Sequence, residues 1–201
     1  MKRVSFYFKE SFIANMYLVL FALIDLGVLC IGDELMWLKT ALCGVCLAGF
    51  MFIVGLMFYK EGESAAKVLR GNDMNREQII KTGREYPINL AEEYKPWKGF
   101  LIGFLSSCPV ILFMIIHAIV SPLGPLNNGG GVAAAFLYMV VFSFFRVNSK
   151  ADILTSDYYY TLIIIPVMVL SIGIGYIIGA KKEMRAHQKI VDKHNAIHGG
   201  K

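Results

Sequence analysis

Long, predominantly apolar runs constrain this chain more than any other feature. Four of them, at 12–31, 37–59, 97–120 and 158–180, are each at least 20 residues long. An α-helix needs about 20 apolar residues to cross the hydrocarbon core of a bilayer, which is about 30 Å thick. Hydrophobic residues make up 56% of the chain, more than one small soluble core can bury. The sequence therefore predicts an all-α integral membrane protein with four transmembrane helices.

The first run follows a basic start, as the apolar part of a secretory signal peptide also does. That part of a signal peptide is about 7–15 residues long and ends at a cleavage site with small residues. Here the run 12–31 is longer, and no A-x-A-like site follows it. We therefore expect an uncleaved first span.

A shorter apolar run, Val132–Phe145, determines the topology of everything after it. Runs of about 10–14 residues are more often re-entrant, interfacial or buried than spanning. Lys and Arg stay mainly on the cytoplasmic side of a membrane. If this run does not cross, all but three of the 20 Lys and Arg lie inside, whereas seven lie outside if it does. We therefore predict an antiparallel four-helix bundle with an outer re-entrant or interfacial segment at 129–147, and five spans as the alternative.

This topology places both termini in the cytoplasm and the protein in the plasma (inner) membrane. The loop 60–96 is then cytoplasmic. Its composition predicts two short helices lying on the membrane surface, with Gly83 ending a helical pattern, or alternatively a docking face for a partner protein.

The tail 181–201 is basic and begins just inside the last span. Its cations are expected to attract anionic lipid headgroups, at about 1 kcal/mol per charge, because they lie near the membrane surface. They are Lys181, Lys182, Arg185, Lys189 and Lys193. The tail also holds His187, His194 and His198, of which the last two are four residues apart on one helix face, but a metal site usually needs three or four ligands. We expect no metal and no cofactor. We also expect no nucleic-acid partner, since the basic residues flank apolar runs.

Small and polar residues form stripes along each span. Lipid gives helices no hydrophobic reason to associate, so small residues that let backbones approach closely indicate packing faces. The predicted faces are Ser11, Asn15, Leu18, Ala22 and Asp25; Ala41, Gly44, Ala48 and Gly55; Gly99, Gly103, Ser106, Val110, Phe113 and His117; and Ser171, Gly175 and Gly179.

Two stripe residues are ionisable, Asp25 in the outer half of the first span and His117 near the outer end of the third. A charged Asp near the centre of a transmembrane helix costs about 2.5–3.5 kcal/mol, and such residues are functional-site candidates. We hypothesise that Asp25 and His117, with Asn15, relay a proton or bind an ion or small solute. The alternative is a structural hydrogen bond between helices, worth about 0.6 kcal/mol.

The second span contains CGVC at 43–46, which is the C-x-x-C spacing of thiol redox sites. The motif resembles that of membrane disulfide-generating enzymes of the quinone-reducing type, which also have four spans and a C-x-x-C near the outer start of the second. The resemblance covers the motif and the span count, and it implies thiol–disulfide exchange by Cys43 and Cys46. This chain has no second cysteine pair in an outer loop, and a buried free cysteine also serves as a small hydrophobe.

Three functions follow from these features. The leading one is a non-enzymatic subunit or accessory of a membrane transport or envelope complex, which docks a membrane-protein partner or a second copy through the inner loop and the small-residue faces. The second is a small-solute or ion transporter that uses Asp25 and His117. The third is a membrane thiol oxidoreductase. The chain contains no P-loop, G-x-S-x-G or HExxH motif that would indicate another enzyme class.

Overall fold

The computed structural model describes residues 2–31, 35–120, 143 and 161–198. Four long helices account for nearly all of them: α1 (Lys2–Leu29), α2 (Met36–Thr82), α3 (Pro96–Val120) and α4 (Ile164–His198). The described residues contain no strand, so the all-α prediction is confirmed. All four helices are long and apolar enough to cross a membrane, as predicted. The segment predicted at 129–147 lies outside the described residues, apart from Ser143.

Two of the helices are much longer than a membrane crossing requires. At 1.5 Å per residue, the 47 residues of α2 extend about 70 Å and the 35 residues of α4 about 52 Å. The charged sequence after each apolar run continues the same helix, and we call residues 60–82 and 181–198 together the stalk. The prediction of separate short helices is therefore wrong for 60–82. The chain has no proline between Met36 and Thr82 that would interrupt the helix.

The predicted stop at Gly83 is confirmed. Gly83 has φ 67°, and its N–H donates to the carbonyl oxygen of Ile79. A left-handed residue of this kind ends a helix by satisfying one of its last free carbonyls, and glycine adopts the conformation without a Cβ penalty.

An apolar layer fills the middle of the bundle. α4 packs against α2 and α3, and α1 packs against the same two helices. The layer consists of fully or nearly fully buried side chains from all four helices: Leu18, Phe21, Phe50, Val54, Ile102, Val110, Met168 and Ile172. The buried ionisable residues lie towards the two ends of the bundle, while the buried hydroxyl groups of Ser106, Ser107 and Ser171 lie among the apolar side chains between them.

Glycine makes the closest contacts of α4. A Cβ added to Gly179 would lie 1.9 Å from the carbonyl oxygen of Tyr59, and one added to Gly175 would lie 2.3 Å from that of Gly55. A Cβ on Gly103 would lie 2.7 Å from the Cα of Val169. Such backbone-to-backbone contact is what small-residue stripes permit. The stripes of the third and fourth spans are therefore packing faces, as predicted.

The stripe of the second span faces outward for most of its length. Ala41 and Ala48 are exposed, while Phe50, Val54 and Phe58 are fully buried. The bulky side chains of α2 fill the space that small residues of the other helices leave in the core. The predicted packing face of α2 is therefore wrong, except at Gly55, which meets α4.

The loop between α2 and α3 folds back on the stalk through buried polar contacts. The Asn72 amide donates to the carbonyl oxygen of Asn89 at 3.0 Å, and the Asn89 N–H donates to the Asn72 side-chain oxygen at 2.9 Å. Glu93, which is 5% exposed, accepts from Asn72 at 3.2 Å and from Arg76 at 3.1 Å. The loop is thus tied to α2 by side chains that already have partners within the chain.

The end of the loop is anchored by Lys98 at the start of α3. Its buried ammonium group donates to the carbonyl oxygens of Ala91 and Glu93 at 2.7 and 2.6 Å. The neighbouring Tyr94 stacks on Tyr176 of α4, with ring centroids 5.5 Å apart. Burial raises the pKa of the Tyr94 hydroxyl. These contacts hold the loop against the stalk end of the bundle.

Candidate functional site

Asp25 is the most unusual buried group in the described part of the chain. It is 0% exposed, and neither carboxylate oxygen has a hydrogen-bond partner among the described residues. The Cys46 thiol lies against the carboxyl group, and Cys43 lies within its electrostatic influence. A buried carboxyl group without hydrogen bonds is costly and is not explained by packing alone.

The position of Asp25 follows from the periodicity of α1. Ala14, Leu18 and Ala22 precede it at spacings of four, four and three residues, and all three are buried. Residues at these spacings share one helix face. The inward face of α1 therefore carries Asp25 into the core.

Each neighbouring element brings a buried polar residue to the same end of the bundle. Lys39 of α2 is 7% exposed and acts electrostatically on Cys43. His117 of α3 is 4% exposed, and Thr161, just before α4, is 0% exposed. Neither Lys39 nor Thr161 is among the site residues predicted from the sequence. No local pattern marks Thr161, because its burial depends on where α4 packs.

The predicted pairing of Asp25 with His117 is not made through a hydrogen bond in this structure. Both residues are buried, but the Asp25 oxygens accept no hydrogen bond from any described residue. The side chain that lies against Asp25 comes instead from α2, as Cys46.

Asn15 has a defined structural contact. Its amide nitrogen donates to the carbonyl oxygen of Ser11 within α1 at 3.0 Å and to that of Ser106 on α3 at 3.1 Å. Both N–H bonds of the amide are used, so Asn15 links α1 to α3. The structure therefore places it at a helix contact rather than beside Asp25.

The cysteines of the CGVC motif are free thiols. Cys43 is 0% exposed, whereas Cys46 is partly exposed. A thiol that exchanges disulfides needs access for a partner and an electropositive setting. Cys43 has no such access in this structure, and both thiols instead line the surroundings of Asp25.

The basic cluster of the tail lies on a regular helix. Lys181, Lys182, Arg185 and Lys189 line an open groove of about 500 Å³ along α4, beside Ile178 and Ala186. Lys182 lies 3.4 Å from Glu63 of α2 and 5.1 Å from the centre of the Tyr59 ring. The last predicted member, Lys193, is exposed one turn beyond the groove. The cluster therefore begins where α4 leaves its apolar part.

The histidines of the tail lie on the helical end of α4, which reaches His198. Within the described residues, no group of three or more His, Cys, Asp or Glu side chains is placed to hold a metal ion. Comparison of the chain with protein-family models, curated proteins and solved structures finds no match.

Proposed function

We propose that the chain crosses a membrane four times, in an antiparallel bundle. The contacts of α4 support this arrangement. Gly55 and Tyr59 of α2 meet Gly175 and Gly179, so position increases together along α2 and α4. These two helices therefore run in the same direction. Gly99 meets Tyr176 and Gly103 meets Val169, so α3 and α4 run in opposite directions.

The contacts of α1 complete the pattern. Tyr7 stacks on Trp97 and Asn15 bonds to Ser106, which indicates that α1 and α3 run in the same direction. The Phe21 ring meets Phe50 on α2, and Asp25 meets Cys46, so α1 and α2 run oppositely. Directions thus alternate along the chain.

This alternation bears on the short apolar run at 132–145. If α3 and α4 run oppositely, α3 ends at the same end of the bundle at which α4 begins. The chain between them then returns to the side that it left, which a single crossing would prevent. The arrangement supports four spans rather than five, and it supports a non-crossing role for the segment 129–147.

The orientation follows from charge. The stalk and the N-terminus carry most of the Lys and Arg, so we place them in the cytoplasm and the Asp25 end of the bundle outside. A plasma (inner) membrane location fits this asymmetry. The groove lined by Lys181, Lys182, Arg185 and Lys189 would then lie near the inner headgroups, where anionic lipids are its expected partners.

With this topology, the function that the geometry supports best is the binding and transport of a proton or small monovalent cation through Asp25. The observation that carries it is the full burial of a carboxyl group whose oxygens have no hydrogen-bond partner among the described residues. Intramembrane carboxyl groups of this kind occur in proton relays and ion pathways. His117, Lys39 and Thr161, buried at the same end, supply further polar groups for such a site.

The role of subunit or accessory in a transport or envelope complex is the second candidate. Several of the surfaces predicted for docking are used within the chain, since the stripes of α1, α3 and α4 pack internally and loop residues such as Asn72 and Glu93 bond to each other. One observation favours it: Ala41 and Ala48 are exposed on α2, where small residues would admit another helix. Recovery of a stable partner or dimer in mild detergent, and its loss in Ala48→Phe, would support this role.

Asp25→Asn tests the transport role because it keeps the shape of the side chain and removes the charge. The purified protein is reconstituted into liposomes that contain a pH-sensitive dye, and proton entry is driven by a potassium diffusion potential. A second series applies a sodium gradient across the liposome membrane instead of the potassium diffusion potential. We expect flux with one of these ions, its loss in Asp25→Asn and its partial retention in Asp25→Glu.

Stability separates this role from a structural one. A carboxyl group kept for binding is a cost to the fold, so Asp25→Asn should unfold at the same temperature as the parent protein or above it. Equal flux in Asp25→Asn and the parent would refute the transport role. A marked loss of stability without a specific loss of flux would assign Asp25 to packing.

A further inference from the structure

We infer that Glu10 and Glu61 form a second proton-binding site, at the stalk end of the bundle, with the hydroxyl group of Tyr176 as its neutral partner. The inference rests on the proposed function, because a route for protons needs ionisable groups on both sides of the apolar layer. It adds residues that sequence reasoning did not single out.

The helix register places the two carboxyl groups opposite each other. The rings of Phe21 and Phe50 meet with centroids 5.7 Å apart across α1 and α2. Eleven residues back along α1 is Glu10, and eleven residues forward along α2 is Glu61. Eleven residues make about three full helical turns, so both side chains lie on the faces that carry the two rings. Glu10 and Glu61 also act on each other electrostatically.

Tyr176 supplies independent evidence for a ligand. Its side chain is 0% exposed, and its hydroxyl group lies near the backbone of Lys95 but makes no hydrogen bond of good geometry with any described residue. Gly62, next to Glu61, packs against the Tyr176 backbone, and Glu61 acts electrostatically on the Tyr176 hydroxyl. A buried hydroxyl group without a partner is unusual in a folded protein. A protonated carboxyl group, or a water molecule held by one, would satisfy it.

Burial of the carboxyl groups, and after it the neighbouring carboxylates, favours retention of a proton at the site, whereas Lys9 opposes it. Glu10 is 5% exposed and lies 3.7 Å from Lys9, whose own side chain is 71% exposed. The other groups that act on the site are Glu92 and Tyr94 from the loop and Tyr7 from α1. Lys98 of α3 lies 5.9 Å from the centre of the Phe6 ring and donates to loop carbonyls. Carboxylates thus outnumber the cations that face them, and neighbouring carboxylates favour a shared proton.

Water has a route towards this end. A cleft of about 890 Å³ lies between the start of α1, the stalk and the loop, and its lining includes the polar side chains of Lys9, Asn72 and Glu92. On the other side, the apolar layer separates Glu10 from Asp25. The two residues are fifteen positions apart on α1, which is about 22 Å of helix. The chain therefore presents one buried acid near each end of a largely apolar layer.

Infrared difference spectroscopy tests the site directly, because a protonated carboxyl group has a carbonyl stretch that disappears on ionisation. The full-length protein in detergent is titrated with hydroxide, and the parent is compared with Glu10→Gln, Glu61→Gln and the exposed control Glu85→Gln. We expect a titrating band, distinct from any band of Asp25, that is lost in both site variants and kept in the control. A band that neither variant alters, or that only one removes, would overturn the shared site.

Folding of the variants is checked by circular dichroism. If either glutamine variant fails to fold, the parent protein is treated with a hydrophobic carbodiimide, which reacts with protonated carboxyl groups in apolar surroundings. Peptide mass spectrometry should find the label on Glu10 or Glu61 at neutral pH and much less at alkaline pH. Absence of label from both residues would overturn the inference.

Asp25→Asn separates this inference from the proposed function. The band of Glu10 and Glu61 should persist in Asp25→Asn, since the two sites are far apart. A persistent band together with unchanged flux in Asp25→Asn would leave the second site standing and refute transport through Asp25. Loss of the band in Asp25→Asn would assign it to Asp25 and overturn the second site.

Discussion

Gly179→Ala should destabilise the bundle, although alanine is the better helix former. A Cβ at this position would lie 1.9 Å from the carbonyl oxygen of Tyr59, whereas ordinary contact begins at 3.4 Å. The two helices would have to separate by about 1.5 Å at this point, since neither backbone can move aside as a flexible side chain can. The neighbouring ion pair of Lys182 with Glu63 spans the same helices and would open with them.

The expected loss in free energy of unfolding follows from two opposing contributions. Overpacking a well-packed interior costs about 1–3 kcal/mol, and an overlap with backbone atoms is expected at the upper end of this range. Replacing a helical glycine by alanine returns about 0.8–1.0 kcal/mol. We expect a net loss of about 2 kcal/mol, which for a chain of this length lowers the melting temperature by about 4–8 °C. Thermal unfolding in detergent, followed by circular dichroism, measures it.

Gly71→Ala is the matched control. Gly71 lies in the stalk part of α2, and a Cβ there would have nothing within 4 Å. Only the gain in helix propensity applies, so this variant should melt about 2–4 °C above the parent. We therefore expect the melting temperature to fall in Gly179→Ala and to rise in Gly71→Ala, although both substitutions replace glycine by alanine. A Gly179→Ala protein that melts at or above the temperature of the parent would show that the contact between α2 and α4 is not as close as described.

Two further substitutions test the loop and its ends. Gly83→Ala should lower the free energy of unfolding by about 1–2 kcal/mol, because Gly83 has φ 67° and a left-handed conformation strains any residue with a Cβ; equal melting temperatures would contradict this. Lys98→Met should speed proteolysis at the exposed Arg84, since it leaves the carbonyl oxygens of the loop without their donor; Lys81→Met, which changes an exposed lysine, should not, and equal cleavage rates in the two variants would refute the anchoring role.

Periodicity predicted the inward faces of α1 and α3 well. Leu18, Asp25, Ser106 and His117 all belong to predicted stripes and are all buried. The same reasoning failed for α2, where Phe50 and its bulky neighbours face the core instead of the small residues. A small residue marks a packing face only where the partner backbone comes equally close, and sequence does not specify the partner's shape at that point.

The continuity of α2 could not be predicted because glycine has two opposite uses. Gly62 and Gly71 resemble helix breakers in a polar stretch. In the structure both lie within one helix, and at Gly62 a Cβ would lie 2.0 Å from the carbonyl oxygen of Tyr176. Gly62 therefore allows the backbones of α2 and α4 to approach each other closely.

Asp25 itself was predicted from sequence, whereas its surroundings were not. The sequence of a single helix is enough to identify an acidic residue on its inward-facing stripe. Its neighbours depend on which helices adjoin and at what height. Cys46 of α2 lies against Asp25, although His117 seemed the natural partner by residue type. The second acid pair, Glu10 with Glu61, depends entirely on the register between two helices and has no signal in either sequence segment.

The alternating helix directions lead to a last prediction, that the C-terminus lies in the cytoplasm. The contacts of α2 and α4 at Gly55 with Gly175, and at Tyr59 with Gly179, require both helices to cross in the same direction. We therefore expect a fluorescent reporter fused after Lys201 to fluoresce, and a reporter active only outside the cytoplasm to stay inactive there. Fusions after Gly83 provide the matched control, because the proposed topology places that position in the cytoplasm with either four or five spans. Activity of the export-dependent reporter at Lys201 would require an additional crossing between α3 and α4. It would also reverse α4 relative to α2, which the register of these two contacts does not allow, so the packing and the topology would both be refuted.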